Sequence, residues 1–141
     1  MNELHLLILV LTSWAGAILF ALKEAAMIVA GRKLNKVLLT VLRFTLAILV
    51  LTPFLPRPVE IHTLVLCLIM MTGAWAPVHR LCLNARRIHL GHKIPLTHLN
   101  FGIYDTLLFS LIPEMKFRFK AMAIIETLIA LIAGAIIIQT T

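Results

Sequence analysis

The stretch "AMAIIETLIALIAGAIII", residues 121–138, is apolar enough to dissolve in lipid, and it carries one carboxylate, Glu126. An α-helix needs about 20 consecutive apolar residues to cross roughly 30 Å of hydrocarbon. This run meets that length, and three more runs match it at 4–22, 37–55 and 61–78. Of the 141 residues, 61% are hydrophobic and 13% charged, against about 25% charged in a soluble domain. Transmembrane β-strands would alternate with period two over about ten residues, and no such pattern is present. The expected fold is therefore an all-α integral membrane protein, one domain over 1–141 with four transmembrane helices.

The first run lacks the basic flank of a secretory signal and exceeds an apolar core of about 7–15 residues, so it is expected to stay as a helix. Cys67 and Cys82 form no CxxC pair and imply no disulfide framework.

The formal charge of +7 is distributed unevenly. Lys23, Arg32, Lys33 and Lys36 stand against Glu24 between the first two runs. Arg57 and Glu60 cancel between the second and third. Seven basic residues stand against Asp105 and Glu114 between the third and fourth. Loops rich in Lys and Arg stay in the cytoplasm, which predicts loops one and three inside and loop two and both termini outside. The basic pI thus reflects orientation and anionic lipid headgroups. No motif accompanies it that would indicate nucleic acid. The expected location is a membrane of the bacterial inner (plasma) type, with the lipid bilayer itself as the first partner.

Loop two, "TPFLPRPVE", is stiffened by three prolines into a tight turn. Loop three opens with "HRLCLNARRIHLGHK", which can continue the third helix past the bilayer. Its later part, 100–113, is apolar but too short to span, and is expected to form an interfacial or re-entrant helix. In span three, Gly73 and Pro77 form a hinge candidate, because proline removes the hydrogen bond to the carbonyl four residues back. No internal repeat is evident, so an inverted-repeat transporter has no support.

A charge in lipid costs about 2.5–3.5 kcal/mol on the more lenient scale, so Glu126 needs a partner or water. Counting at 1.5 Å per residue, Glu126 lies about 7–8 Å inside the cytoplasmic face and Arg43 about 9 Å. Lys23, Glu24 and Arg80 fall near the same face, which makes Lys23, Glu24, Arg43, Arg80 and Glu126 one candidate intramembrane charge cluster. The expected pair is Glu126 with Arg43. Ser13, Ala17 and Ala21 on span one, and Ala130 and Gly134 on span four, form small-residue stripes of the kind that let membrane helices approach closely. These two stripes are expected to meet, within one subunit or between subunits.

His89, His92, His98 and Asp105 in loop three are of the residue types that hold zinc or non-haem iron. Gly91 interrupts their helical spacing, and they form only a weak metal candidate. His62 and His79 stand at opposite ends of span three, too far apart for one haem. No cofactor is predicted. No nucleophile elbow, zinc-protease motif or phosphate loop appears, so the chain leans away from an enzyme. Three classes of function fit: a homo-oligomeric, channel-like protein, in the manner of a holin; an accessory subunit within a larger membrane complex; and a small membrane enzyme or metal protein using the loop-three histidines. A holin commonly ends in a charged tail, and "QTT" has none.

Reporter fusions placed at Lys93 and at Thr141 should report opposite sides of the membrane, Lys93 cytoplasmic and Thr141 external. A cytoplasmic reading at Thr141 would remove both the topology and the depth arithmetic built on it.

Overall fold

A computed structural model describes residues 1–55, 58–98 and 115–140. Within them the chain is helical: α1 spans Glu3–Val29, α2 Lys36–Leu51, α3 Ile61–His89 and α4 Met115–Thr140. A 3-10 turn over Thr52–Phe54 follows α2, with Pro53 fixing φ at its start. All four helices are long and apolar enough to cross a membrane. The expected interfacial segment at 100–113 lies outside the described residues.

The helix ends have local causes. Asn2 caps α1 by accepting from the His5 N–H at 2.9 Å, and Asn35 caps α2 by accepting from the Leu38 N–H at 3.0 Å. At the other end of α1, Gly31 takes φ +69°. Its N–H reaches the Ile28 carbonyl, and the Arg32 N–H reaches Met27, both at 3.0 Å. Gly91 at φ +97° repeats this after α3: its own N–H bonds Ile88, and the His92 N–H bonds Arg87. Both are glycine-terminated stops that satisfy the last carbonyls of a helix through a left-handed residue.

At 29 residues, α3 is about 43 Å long, well beyond the hydrocarbon thickness. It runs past position 78 into the polar stretch containing Arg80, Arg86 and Arg87, as the loop-three sequence suggested. Pro77 lies inside this helix without ending it. Its neighbour α1 also overruns its span, and the two overhangs pack together through Ala21, Ala25 and Leu83.

Helix α3 is the hub. The extensive contacts join α1 to α3 and α3 to α4. On α1 the buried stripe is Leu6, Leu9, Ser13, Ala17, Ala21, Glu24 and Ala25, at helical three-four spacing. On α4 it is Phe119, Met122, Glu126, Ala130, Ala133, Gly134 and Ile137. Each stripe is seated on α3, so the expectation that the two would meet one another is corrected for a single chain. The reason is that α3 itself presents small or polar residues on two sides, including Thr63, Gly73, Ala76 and Asn84. Leu6 and Leu9 share one apolar cluster with Cys67 and Met70, and Ala21 shares another with Leu83, so α1 and α3 run parallel. Gly73 lies against Ala130 and Met70 against Gly134, so α4 runs antiparallel to α3.

Helix α2 is different. Among its described residues only Leu51 is buried, while Leu39, Arg43, Ala47 and Val50 form a half-buried stripe at three-four spacing. The rest of its apolar surface is exposed, as a lipid-facing helix requires.

Of the described glycines, Gly73 has the tightest surroundings. A Cβ there would stand 2.6 Å from the Glu126 carbonyl oxygen and 3.1 Å from the Ala130 Cβ. Gly73, expected as half of a hinge, is therefore also a point of close approach between α3 and α4. Gly73→Ala gains about 1 kcal/mol of helix propensity. The clash is with backbone, which cannot swing aside, so overpacking of about 1–3 kcal/mol should win. The variant should show a lowered Tm in detergent, with Gly16→Ala as the control, since a Cβ at Gly16 meets nothing within 4 Å. Equal or raised stability for Gly73→Ala would mean that this contact does not set the helix spacing.

Candidate functional site

Ionisable residues from all four helices converge towards one end of the bundle, in two adjoining groups. In the first, Arg80 on α3 donates both Nη groups to Glu126 on α4: Nη1 to Oε2 at 2.7 Å, and Nη2 to Oε1. Arg80 is 6% exposed and Glu126 1%. The planar guanidinium and carboxylate match as two parallel hydrogen bonds, the geometry that makes Arg–carboxylate pairs strong and directional. Glu126 is therefore paired with Arg80, and the expected pairing with Arg43 is corrected. The physical reason is placement: α4 packs on one side of α3, whereas Arg43 comes from α2 and meets Glu24 of α1.

The second group contains Glu24, Arg43 and His79. Glu24 is buried on α1, and its Oε1 forms a salt bridge with Arg43 Nη2. The His79 Nε2 stands 3.4 Å from that same Oε1 and 3.4 Å from Arg43 Nη2. Trp75, one helical turn before His79, stacks on the imidazole with ring centroids 4.2 Å apart and planes 16° off parallel. The Arg43 Cζ lies 4.5 Å from the Trp75 ring centroid and 5.5 Å from that of Phe20. A guanidinium over an aromatic face gains from the ring quadrupole, most where water is excluded. Arg43 is nevertheless about a quarter exposed at its side chain, and its Nε is buried without a hydrogen-bond partner among the described residues.

The two groups mirror one another in sign. Between α1 and α2 the acid comes from the first helix and the base from the second; between α3 and α4 the base comes first and the acid second. A third polar fixture lies just beyond. Asn84, fully buried, donates its amide hydrogens to the carbonyls of Leu96 and His98, each at 2.7 Å. The chain turned by Gly91 is thus folded back along α3.

Of the candidate cluster, Glu24, Arg43, Arg80 and Glu126 are brought together, while Lys23 is exposed and stands outside both groups. The small residues Ser13, Ala17, Ala21, Ala130 and Gly134 are all buried. Ser13 satisfies its hydroxyl by donating to Leu9 O at 2.8 Å, the local bond open to a helical serine. Three members of the site escaped the sequence reading: Trp75, Phe20 and Asn84. The spacing Trp75–His79 and Arg80–Asn84, each four apart on α3, was the available signal. Among the described residues no three His, Cys, Asp or Glu side chains gather as a metal group. His92 instead faces Arg87, whose Nη2 lies 3.5 Å from its Nδ1. His89 and His98 join no such group, and Asp105 lies outside the described residues.

No known protein family, curated protein or solved structure matches this chain.

Removing one partner of a buried ion pair strands the other, typically at about 3–5 kcal/mol, whereas replacing both by apolar residues can be nearly neutral. Arg80→Ala and Glu126→Ala should each lower stability strongly, and Arg80→Leu with Glu126→Leu together should recover most of the loss. The same cycle run on Arg43 and Glu126 should be additive within about 0.5 kcal/mol. Thermal unfolding in detergent checks both cycles, and coupling in the second but not the first would reverse the pairing.

Proposed function

We propose that this chain is a protomer of a membrane assembly, homo-oligomeric and channel-like, oriented with both termini outside and held in a plasma membrane of the bacterial inner-membrane type. The observation that carries this reading is the contrast between α2 and the other helices. Helices α1 and α4 are sealed along α3, while α2, among its described residues, buries only Leu51 and otherwise rests on the half-buried Leu39, Arg43, Ala47 and Val50. Beside it an open groove is lined by Phe44, Val65, Leu68, Ile69, Thr72, Gly73, Glu126 and Ile129. A helix with an unsealed flank suits packing against a neighbouring copy, because helix association in lipid relies on van der Waals fit.

The interior of a single chain offers little to an ion. Its middle is filled by Cys67, Met70, Met71, Ala130, Ala133 and Ile137, and both buried carboxylates are engaged by guanidinium groups. A path, on this reading, runs between copies and not through one. The same observation favours the accessory-subunit reading as the second choice, with α2 facing a larger membrane protein instead of its own kind. Anionic lipid headgroups would meet the basic overhangs of α1 and α3 in either case.

The oligomeric state after gentle extraction discriminates. A closed ring of copies, cross-linked through cysteines placed at exposed α2 positions such as Leu42 and Leu46, supports the proposal. Co-purification with a different membrane protein through the same positions supports the second reading. A monomer with no cross-link through α2 in membranes overturns both.

A further inference from the structure

We propose that the glycine turns ending α1 and α3 form one two-sided site for the phosphate of an anionic phospholipid, which clamps the two helices together at their basic ends. It rests on the headgroup contact given above, narrowed to particular residues, and not on what the chain assembles with.

The two helix ends repeat each other. Ile28, Gly31 and Lys33 recur sixty residues later as Ile88, Gly91 and Lys93. In each turn the glycine is left-handed, and the next N–H closes onto the helix: that of Arg32 onto the Met27 carbonyl, that of His92 onto the Arg87 carbonyl. Arg32 and His92 thus hold equivalent places, and so do Lys33 and Lys93. Helices α1 and α3 run parallel. Leu83 shares a cluster with Ala21 and Ala25, at sequence separations that bracket sixty, so the two turns emerge level and side by side.

Arg32, Lys33 and Lys93 are exposed, and among the described residues no carboxylate pairs with them. Beside Lys93, the Arg87 Nη2 lies 3.5 Å from His92 Nδ1, which keeps that guanidinium against its own turn. Glu24 and Glu126, the carboxylates of the adjoining bundle, are held by Arg43 and Arg80. Packing therefore brings two cationic turns together, and an anion lying between them offsets their repulsion.

The depth suits a lipid. At 27 and 29 residues, α1 and α3 are about 40 and 43 Å long, and a bilayer with its headgroup layers is about 40–45 Å thick. Both turns then stand at the edge of the headgroup layer, where long basic side chains lay their stems along apolar surface and keep their charges among the phosphates. A phosphodiester offers one negative charge and several acceptor oxygens, which a guanidinium meets as a fork and an ammonium as a point charge. A headgroup with its own ammonium would bring a further cation into the site, so a lipid of net negative charge fits best. Because the site exists only where α1 and α3 are packed, a bound lipid stabilises the folded chain.

The test uses the full chain in a zwitterionic detergent, with native mass spectrometry to count bound lipid and thermal unfolding to read stability. Dioleoyl phosphatidylglycerol should bind and raise the Tm, whereas dioleoyl phosphatidylcholine and inorganic phosphate at the same concentration should do neither. Lys33→Gln and Lys93→Gln should each weaken phosphatidylglycerol binding about fivefold, and the double variant about 25-fold. Lys120→Gln, which removes an exposed charge from α4, should leave binding unchanged. An equal loss from Lys120→Gln would reduce the effect to general adhesion of a basic surface and overturn the proposal. Phosphatidylglycerol binding no tighter than phosphatidylcholine overturns it as well, and so does a stabilisation that inorganic phosphate reproduces. The same spectra report the oligomeric state, so a monomer that binds phosphatidylglycerol upholds this site while counting against the assembly.

Discussion

The bidentate contact between Arg80 and Glu126 is the constraint around which the bundle is arranged. In a bilayer neither charge can retreat into water without dragging its helix along, and an unpaired member would cost several kcal/mol. The fork of the guanidinium fixes not only the separation of α3 and α4 but also their rotation and register, because both Nη groups must face one carboxylate plane. Gly73 then becomes necessary. One turn along α4 from Glu126 lies Ala130, and the backbones come so close there that α3 has room for no side chain. Polar anchoring and small-residue packing are thus one device: the pair sets the register, and the glycine allows the approach that the pair requires.

The same logic explains why α3 occupies the centre. It carries two kinds of surface, one small and polar towards α4 and one towards α1, where Leu83 fits against Ala21 and Ala25. The mirrored signs of the two ion pairs add selectivity. Glu24 and Glu126 would repel if α1 and α4 were neighbours at this level, as would Arg43 and Arg80 if α2 took the place of α4. Wrong arrangements of four similar apolar helices are penalised by charge as well as by shape.

Much of this was legible in the sequence, and the parts that were not share a cause. The four spans followed from length and hydropathy alone, because hydrocarbon thickness is a ruler that a helix must match. That Glu126 needs a partner near the basic face followed from the cost of a bare charge. Its partner did not follow. Depth counted in residues places Arg43 and Arg80 in the same layer, and only the order of helices around α3 separates them. That order is decided by packing at Gly73 and Ala130, positions whose significance no count of charges conveys. The stripe on α1 was legible as a stripe, yet its counterpart was misassigned for the same reason: two small-residue faces look complementary until a third helix competes for both. A shorter signal was also present. Ile28-x-x-Gly31-x-Lys33 and Ile88-x-x-Gly91-x-Lys93 lie sixty residues apart and end α1 and α3 with the same left-handed glycine turn. A search for extended repeats passes over it.

The contrast between the two ion pairs carries the last step. Arg80 and Glu126 are both sealed and joined by two parallel hydrogen bonds, so that contact behaves as a fixed rivet. Arg43 and Glu24 are joined by a third member, His79, and Arg43 remains partly open to the basic face. The more open of the two clamps thus falls at the helix with the least buried surface among the described residues. Packing is concentrated in α1, α3 and α4, whose buried stripes interlock along α3, whereas α2 keeps most of its described apolar surface exposed. Where one ion pair of a helix bundle is sealed and the other is open, the helix on the open pair is the one with surface left for van der Waals fit to a neighbour.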